Sequence, residues 1–144
     1  MPSTISETVD ELVVAIDTSG SIGSRALSEF LSEVKGIVDN IKVNKVRLLY
    51  WGTKVVADEL YTGNQVDNLV KSTKPAGGGG TDVNCVTQYM RDNKITPSCT
   101  VVLTDGYLGG SWSKWAKPVL WAIVDNPSAK PSCGTTIHID RSGR

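Results

Sequence analysis

Oxygen-bearing side chains follow an apolar run near the start of this chain. Residues 12–16 are all apolar (LVVAI), which is typical of a short buried strand, and residues 17–21 read D-T-S-G-S. One carboxylate, Asp17, and two hydroxyls, Ser19 and Ser21, therefore stand at alternate positions of a single loop. Hard divalent cations such as Mg²⁺ prefer oxygen ligands in a near-octahedral array. The spacing predicts a metal site at the end of this strand.

Two more segments carry oxygen ligands of the same kind. Thr81 and Asp82 follow the four glycines of residues 77–80, and Asp105 ends a second apolar run at residues 101–104. The glycines permit backbone conformations with positive φ and a close approach to a bound ion. No Gly-Lys-Ser or Gly-Lys-Thr follows them, which argues against a phosphate-binding loop.

The spacing of apolar residues predicts strands that alternate with helices. Strands are expected at residues 12–16, 46–51, 54–60, 100–103, 119–124 and 135–139. Helices are expected at residues 27–41, 66–70 and 82–93. The second and third strands flank Gly52 and Thr53, which predicts an antiparallel hairpin.

These elements predict a Rossmann-like, doubly wound α/β fold. Strands joined by helices imply right-handed crossovers and a mainly parallel sheet with helices on both faces. We expect a six-stranded sheet in the order 3-2-1-4-5-6, with strand 3 antiparallel. In such sheets ligands bind at the carboxyl ends of the strands where the strand order reverses, which is here between strands 1 and 4. Because Asp17 ends strand 1 and Asp105 ends strand 4, the fold brings the two carboxylates together.

The D-x-S-x-S loop, Thr81 and Asp105 together resemble the metal-ion-dependent adhesion site of the von Willebrand factor type A (VWA) family. The resemblance extends over residues 12–139 and favours one VWA-like branch that is often found C-terminal to predicted metallopeptidase domains. It implies that hydroxyls bind the cation directly, and that the aspartates hold it directly or through water. The cation would be Mg²⁺, with Mn²⁺ or Ca²⁺ as alternatives. The implied metal ligands are Asp17, Ser19, Ser21, Thr81 and Asp105, and the implied second-shell or rim residues are Asp82, Gly106, Tyr107 and Trp112.

The balance of neutral and charged ligands indicates what such a site does. Neutral hydroxyls leave a dication incompletely neutralised, so that it attracts a carboxylate from another molecule. We therefore expect a non-catalytic protein-interaction module that captures an acidic group of a protein partner. The resemblance also includes VWA proteins that work with AAA+ ATPases of the MoxR type, which makes such an ATPase a candidate partner.

Two other functions stay open at this point. One is a metal-dependent hydrolase that uses the same aspartates, although no general base or nucleophile is evident beside them. The other is a structural domain with a vestigial metal site. A zinc peptidase is excluded from this chain, because H-E-x-x-H is absent and His138 is the only histidine.

Several residues have a structural alternative to a role in the site. Ser19 and Ser21 are also typical caps of the helix that follows, and Asp82 is either a second-shell residue or the cap of its own helix. Trp112 and Trp115 either anchor a partner at the rim or pack their loop onto the sheet.

Composition limits the remaining classes. The chain of 144 residues fits one domain, with residues 12–140 as its core, and its formal net charge of zero argues against general affinity for nucleic acid or anionic membrane. Three cysteines, Cys85, Cys99 and Cys133, are an odd number without C-x-x-C spacing, which argues against a disulfide framework and a zinc site. With neither a signal peptide nor a membrane-spanning run in the sequence, we expect a cytoplasmic protein.

Overall fold

The computed structural model describes residues 9–18, 24–40, 43–62, 81–106, 112–124, 126 and 128–139. Six strands and two helices lie within these residues. The strands are β1 (Val9–Asp17), β2 (Val43–Trp51), β3 (Val55–Thr62), β4 (Cys99–Thr104), β5 (Val119–Val124) and β6 (Thr135–Ile139). The helices are α1 (Ser24–Asn40) and α2 (Asn84–Asp92). The helix predicted at residues 66–70 lies outside the described residues.

The six strands form one sheet in the order β3-β2-β1-β4-β5-β6, as the sequence predicts. β1 pairs in parallel with β2 on one side and with β4 on the other, while β2 and β3 form the antiparallel hairpin. The strand order therefore reverses between β1 and β4. Ile16 is paired with Leu103, so these two strands end side by side.

Both faces of the sheet are covered. Leu12, Val14 and Ile16 of β1 pack on one face with α1, while Val13 and Ala15 pack on the other face with α2. β1 is thus a central strand buried on both sides, which explains its continuous apolar run. The face that packs against α2 is called the α2 face below.

Each helix buries one stripe of apolar side chains. In α1 the buried residues recur at steps of three and four, and they are Leu27, Phe30, Leu31 and Val34. Val83 and Val86 are buried at the start of α2, and Tyr89 and Met90 pack partly against the same core. These residues confirm the predicted apolar faces.

All the elements except β5 and β6 differ from their predicted bounds by one to three residues. β1 and β2 each begin three residues earlier, because the residues there pair through the backbone, with Val9 opposite Val43 and Glu11 opposite Lys45. α2 begins at Asn84 rather than at residue 82. Apolar patterning does not detect the early strand residues, since their side chains contribute no apolar stripe.

A polar network ties α2 to the hairpin. Arg47 of β2 donates from Nε to Glu11 at 2.9 Å and from a guanidinium nitrogen to Asp58 at 2.9 Å. The hydroxyl of Tyr89 on α2 donates to the same Asp58 carboxylate at 2.6 Å. This hydrogen bond, together with burial, raises the pKa of Tyr89. The network therefore links α2 to both strands of the hairpin.

Two glycines, one crowded and one exposed, allow the packing of the fold to be tested by substitution. Gly134 has φ of 76°, and a Cβ there would meet the carbonyl oxygen of Val119 and lie 2.6 Å from its Cγ1. Gly36 lies in α1 and is exposed, and a Cβ there would have no neighbour within 4 Å. We expect Gly134→Ala to lower the free energy of unfolding by about 1–3 kcal/mol. Gly36→Ala should raise it by about 0.5–1 kcal/mol, since glycine is unfavourable inside a helix. Urea unfolding of the two variants checks both signs. Equal midpoints would contradict the close approach of Gly134 to Val119.

Candidate metal centre

Asp17 is the last residue of β1, and it is fully buried. By the alternation of side chains along a strand, it lies on the α2 face with Val13 and Ala15. The hydroxyl of Thr104, the last residue of β4, donates to Asp17 Oδ2 at 2.7 Å. A carboxylate in such a place is costly unless it is hydrogen-bonded, paired or bound to a metal ion. A buried acidic group thus lies at the point where the strand order reverses.

Asp105 follows Thr104 directly and is partly exposed. Its carbonyl oxygen accepts a hydrogen bond of 2.8 Å from the side-chain amide of Asn126, which lies just after β5. Gly106 donates its backbone N–H to the Thr104 hydroxyl at 3.2 Å, so this hydroxyl links the loop to Asp17. Both sides of Asp105 are therefore held in place.

Gly106 has a steric reason to be glycine. Its φ is 81°, and a Cβ at this position would lie 2.8 Å from the Cβ of Ala129 and 3.1 Å from Nδ2 of Asn126. Only glycine adopts this conformation at little cost and leaves room for both neighbours. This rim residue of the sequence prediction thus shapes the turn that presents Asp105.

Thr18 anchors the start of the D-x-S-x-S loop. Its backbone N–H and its hydroxyl both donate to the carbonyl oxygen of Trp51, at 2.8 and 3.0 Å. The loop therefore leaves the sheet between β1 and the end of β2. Ser19 and Ser21, the two predicted hydroxyl ligands of this loop, lie outside the described residues.

The segment with Thr81 docks at the same edge of the sheet. Asp82 donates its backbone N–H to the carbonyl oxygen of Gly52 at 2.8 Å. Gly52 directly follows Trp51, which is paired with Asp17 across β1 and β2. Thr81 is partly exposed there. The structure therefore brings Asp17, Thr81 and Asp105 to one edge, from three segments that are distant in sequence.

Asp82 makes the contact expected of a helix cap. Its Oδ1 accepts hydrogen bonds of 3.0 Å from both the backbone N–H and the side-chain amide of Asn84, the first residue of α2. Its side chain is otherwise exposed. Of the two alternatives for Asp82, the capping interaction is the one with a hydrogen bond in the structure.

The tryptophans after β4 pack onto the sheet. The rings of Trp112 and Trp115 meet the fully buried ring of Trp121 edge-on, with centroids 5.1 and 5.7 Å apart. Trp115 Nε1 donates to the carbonyl oxygen of Trp112 at 2.8 Å. Both side chains contribute to the core of the α2 face, as the packing alternative predicts. Tyr107 lies outside the described residues.

The three cysteines are free thiols, and each of them is half-buried. Cys85 approaches the metal-site edge, with Sγ 3.8 Å from the carbonyl oxygen of Gly52. Burial, and then the charge of Asp82, raises the pKa of Cys85 to about 11. The thiol is therefore protonated at neutral pH in the absence of a bound metal ion.

The oxygen donors at this edge fit a hard cation. Asp17 and Asp105 supply carboxylates and Thr81 supplies a hydroxyl, whereas the nearby thiol is protonated. The described part of the chain holds no group of three or more His, Cys, Asp and Glu side chains that suits a metal ion. The predicted site differs from such a group, because it combines only two carboxylates with hydroxyls.

Sequence patterns alone do not identify three residues that hold this edge together: Thr18, Thr104 and Asn126. Thr18 occupies a variable position of the D-x-S-x-S loop, and Asn126 follows the strand beyond the switch point. Thr104 carries a usable signal, since a hydroxyl at the end of an apolar strand directly precedes the predicted ligand Asp105.

The fold of this chain is similar to the folds of solved VWA domains. BatB from Bacteroides thetaiotaomicron is 18% identical, with a TM-score of 0.63 over 80% of this chain and 66% of that chain. The VWA domain of SpRpn10 is 12% identical, with a TM-score of 0.56 over 94% of this chain and 90% of that chain. At these identities the likeness shows the fold alone.

The family follows from the sequence itself. The family model of the VWA-like domain (DUF2201) matches residues 12–140, and the chain belongs to this family. An uncharacterized protein of Thermotoga maritima is 29% identical over 107 residues, which is 74% of this chain and 25% of that protein. The chain thus spans about a quarter of the length of this relative. VWA-like domains are in general protein-interaction modules and are typically non-catalytic.

The hydrogen bond between Thr104 and Asp17 yields a direct test. Thr104→Val keeps the shape of the side chain but removes the donor to a buried carboxylate, so it should lower the free energy of unfolding by about 1–3 kcal/mol. Thr104→Ser restores a hydroxyl and should recover most of this loss. Urea unfolding in the presence of EDTA measures both without a contribution from bound metal. A valine variant as stable as the parent would show that this bond does not stabilise the edge.

Proposed function

We propose that this domain binds Mg²⁺ or Mn²⁺ at the β1–β4 edge and uses the cation to capture an acidic group of a protein partner. The observation that carries the proposal is the buried carboxylate of Asp17, which is hydrogen-bonded to Thr104 and lies beside Asp105 and the segment of Thr81. Ligands from three segments at one switch point are typical of a binding site rather than of a core contact. The ligands would be Asp17, Ser19, Ser21, Thr81 and Asp105.

The residues of this chain would do three things at such a site. Thr104 orients Asp17, so that one carboxylate oxygen is committed to the hydrogen bond. Asn126 and Gly106 hold the backbone on either side of Asp105, which limits the entropy lost when a ligand is bound. Thr81, partly exposed, would offer a neutral hydroxyl from the surface. When bound, the cation supplies a positive charge and an open coordination position for a foreign carboxylate.

The nature of the partner is a further part of the proposal. Membership of a VWA-like family supports a protein partner, and the resemblance to VWA proteins that work with MoxR-type ATPases makes an AAA+ ATPase our candidate. The free thiols of Cys85, Cys99 and Cys133 support a reducing compartment such as the cytoplasm. None of the helices in the described ranges is both long and apolar enough to cross a membrane.

Metal binding is tested with a pair of threonine variants. The parent should bind one Mg²⁺ or Mn²⁺ per chain, and a hundredfold excess over Kd should raise the free energy of unfolding by about 2.7 kcal/mol. Thr81→Ala should lose both effects. Thr53→Ala is the matched control, because Thr53 is exposed at the nearby hairpin turn and is not a proposed ligand. Calorimetry and melting curves with and without EDTA make the measurement. Equal binding by the Thr81 and Thr53 variants would contradict the site.

Capture of the partner is tested separately from metal binding. Parent protein on a solid support should retain a partner from a lysate of the source cells in Mg²⁺ and release it in EDTA or in excess acetate. Thr81→Ala should retain it in neither condition, because the cation that receives the carboxylate is missing. A partner held equally by both proteins in both conditions would refute the adhesion mechanism while leaving the calorimetric result unaffected.

A further inference from the structure

A cavity of about 530 Å³ lies on the α2 face, away from the proposed metal site. It opens between the last turn of α2, residues 94–97 and the segment 114–117, and Thr100 at the start of β4 lies at its base. Thr100 lies near the start of β4, and Asp105 directly follows its last residue. The cavity and the proposed metal site are therefore at opposite ends of this strand. The volume of the cavity falls within the range of about 300–1,000 Å³ typical of ligand pockets.

The walls of this cavity are apolar and rigid. Met90, Ile95, Pro97, Trp115 and Ala116 line it. The ring of Trp115 is held edge-on against Trp121, and its indole N–H is bonded to the carbonyl oxygen of Trp112.

A further contact fixes the width of the cavity. The hydroxyls of Thr87 on α2 and Ser113 are 2.7 Å apart, and this hydrogen bond ties the two walls together. A cavity held open in this way needs little reorganisation to accept a ligand.

The rim of the cavity is cationic. Arg91, Lys94, Lys114 and Lys117 line it, and no Asp or Glu does. Within the described ranges none of these four side chains forms an ion pair. Since the whole chain has a formal net charge of zero, this is a local concentration of positive charge beside apolar walls.

Lys94 occupies a position that normally favours glycine. It follows α2 with φ of 55°, and the hydrogen bond of 2.8 Å from the N–H of Ile95 to the carbonyl oxygen of Met90 closes the helix around it. Helices that end this way usually carry glycine at the left-handed residue. A lysine here is unfavourable for the backbone, but it adds a charge to the rim.

We infer that this cavity docks an acidic peptide segment of a protein partner, with one large apolar side chain inside and carboxylates on the rim. The cationic rim would bind the carboxylates by charge complementarity, and the apolar walls would bind the large apolar side chain. A protein segment is favoured over a small anion because the chain belongs to a family of interaction modules. α2, of nine residues and about 13 Å, separates the cavity from the edge of Asp82, so docking is independent of the metal.

The probe is a displayed library of random heptapeptides, selected on the parent domain in EDTA so that the proposed metal site does not contribute. Selected peptides should combine a large aliphatic or aromatic residue with at least two acidic ones. The affinity of the best peptide, made synthetically, should fall at least about tenfold with Lys114→Glu and Lys117→Glu together. Lys130→Glu is the matched control, since Lys130 is exposed and lies outside the cavity.

Lys94→Gly separates binding from folding. It should raise the melting temperature, because glycine relieves the left-handed backbone, while it weakens the peptide about two- to fivefold. A variant that binds the peptide as the parent does would remove Lys94 from the site, and a destabilised variant would contradict the backbone cost assigned to Lys94.

Other outcomes overturn the inference as a whole. Selection of no peptides, or of peptides without acidic residues, would refute an acidic peptide ligand. So would equal loss of affinity in Lys130→Glu, which would indicate a non-specific charge effect. Binding of the small amphiphilic anion anilinonaphthalene sulfonate in the cavity, without any selected peptide, would assign the cavity to small molecules instead.

Discussion

The hydrogen bond from Thr104 to Asp17 joins the ends of β1 and β4 at the one place where the strand order reverses. Asp17 has no exposed surface, so its charge must be compensated within the protein or by a bound ion. The arrangement around it follows from this requirement. Thr18 holds the departing loop to β2, and Asn126 holds the loop after β4 from the far side. Hydrogen bonds thus hold the residues that directly follow β1 and β4 close to the buried carboxylate of Asp17.

Apolar side chains cover both faces of the sheet that carries Asp17. β1 is buried on both faces, and its neighbours β2 and β4 continue the apolar layers on either side. One side of the sheet rests on α1, and the other rests on α2 and on the tryptophans Trp112, Trp115 and Trp121. The apolar core is thus shared between the two faces of the sheet, and the polar residues Asp17 and Asp105 lie at the carboxyl ends of its strands.

Charge is distributed unevenly along α2 although the chain is neutral as a whole. The carboxylate of Asp82 caps its first residue, and Arg91 lies in its last turn. Both positions are favourable for the helix dipole, which is positive at the N-terminus and negative at the C-terminus. Asp92, the last residue of α2, is also acidic and accepts a hydrogen bond from Gln88, so the cationic rim is formed by Arg91 together with Lys94, Lys114 and Lys117 rather than by the helix alone. Two surfaces of opposite chemistry thus lie on one face of a small domain.

The sequence by itself determined the fold class, the strand order and the apolar faces of both helices, whereas the metal-ion-dependent adhesion site stays a prediction. These depend on apolar periodicity and on short motifs, which are local properties of the chain. Asp17 and Asp105 were placed at one edge for the same reason, since the ends of β1 and β4 follow from strand order. Only the tertiary structure identified Thr104 as the partner of Asp17, and Asn126 as the support of Asp105. The tertiary structure also decided that Trp112 packs against Trp121 and that the cavity beside α2 has a cationic rim. Such contacts join residues from separate segments, and the spacing of these residues in the sequence is not periodic.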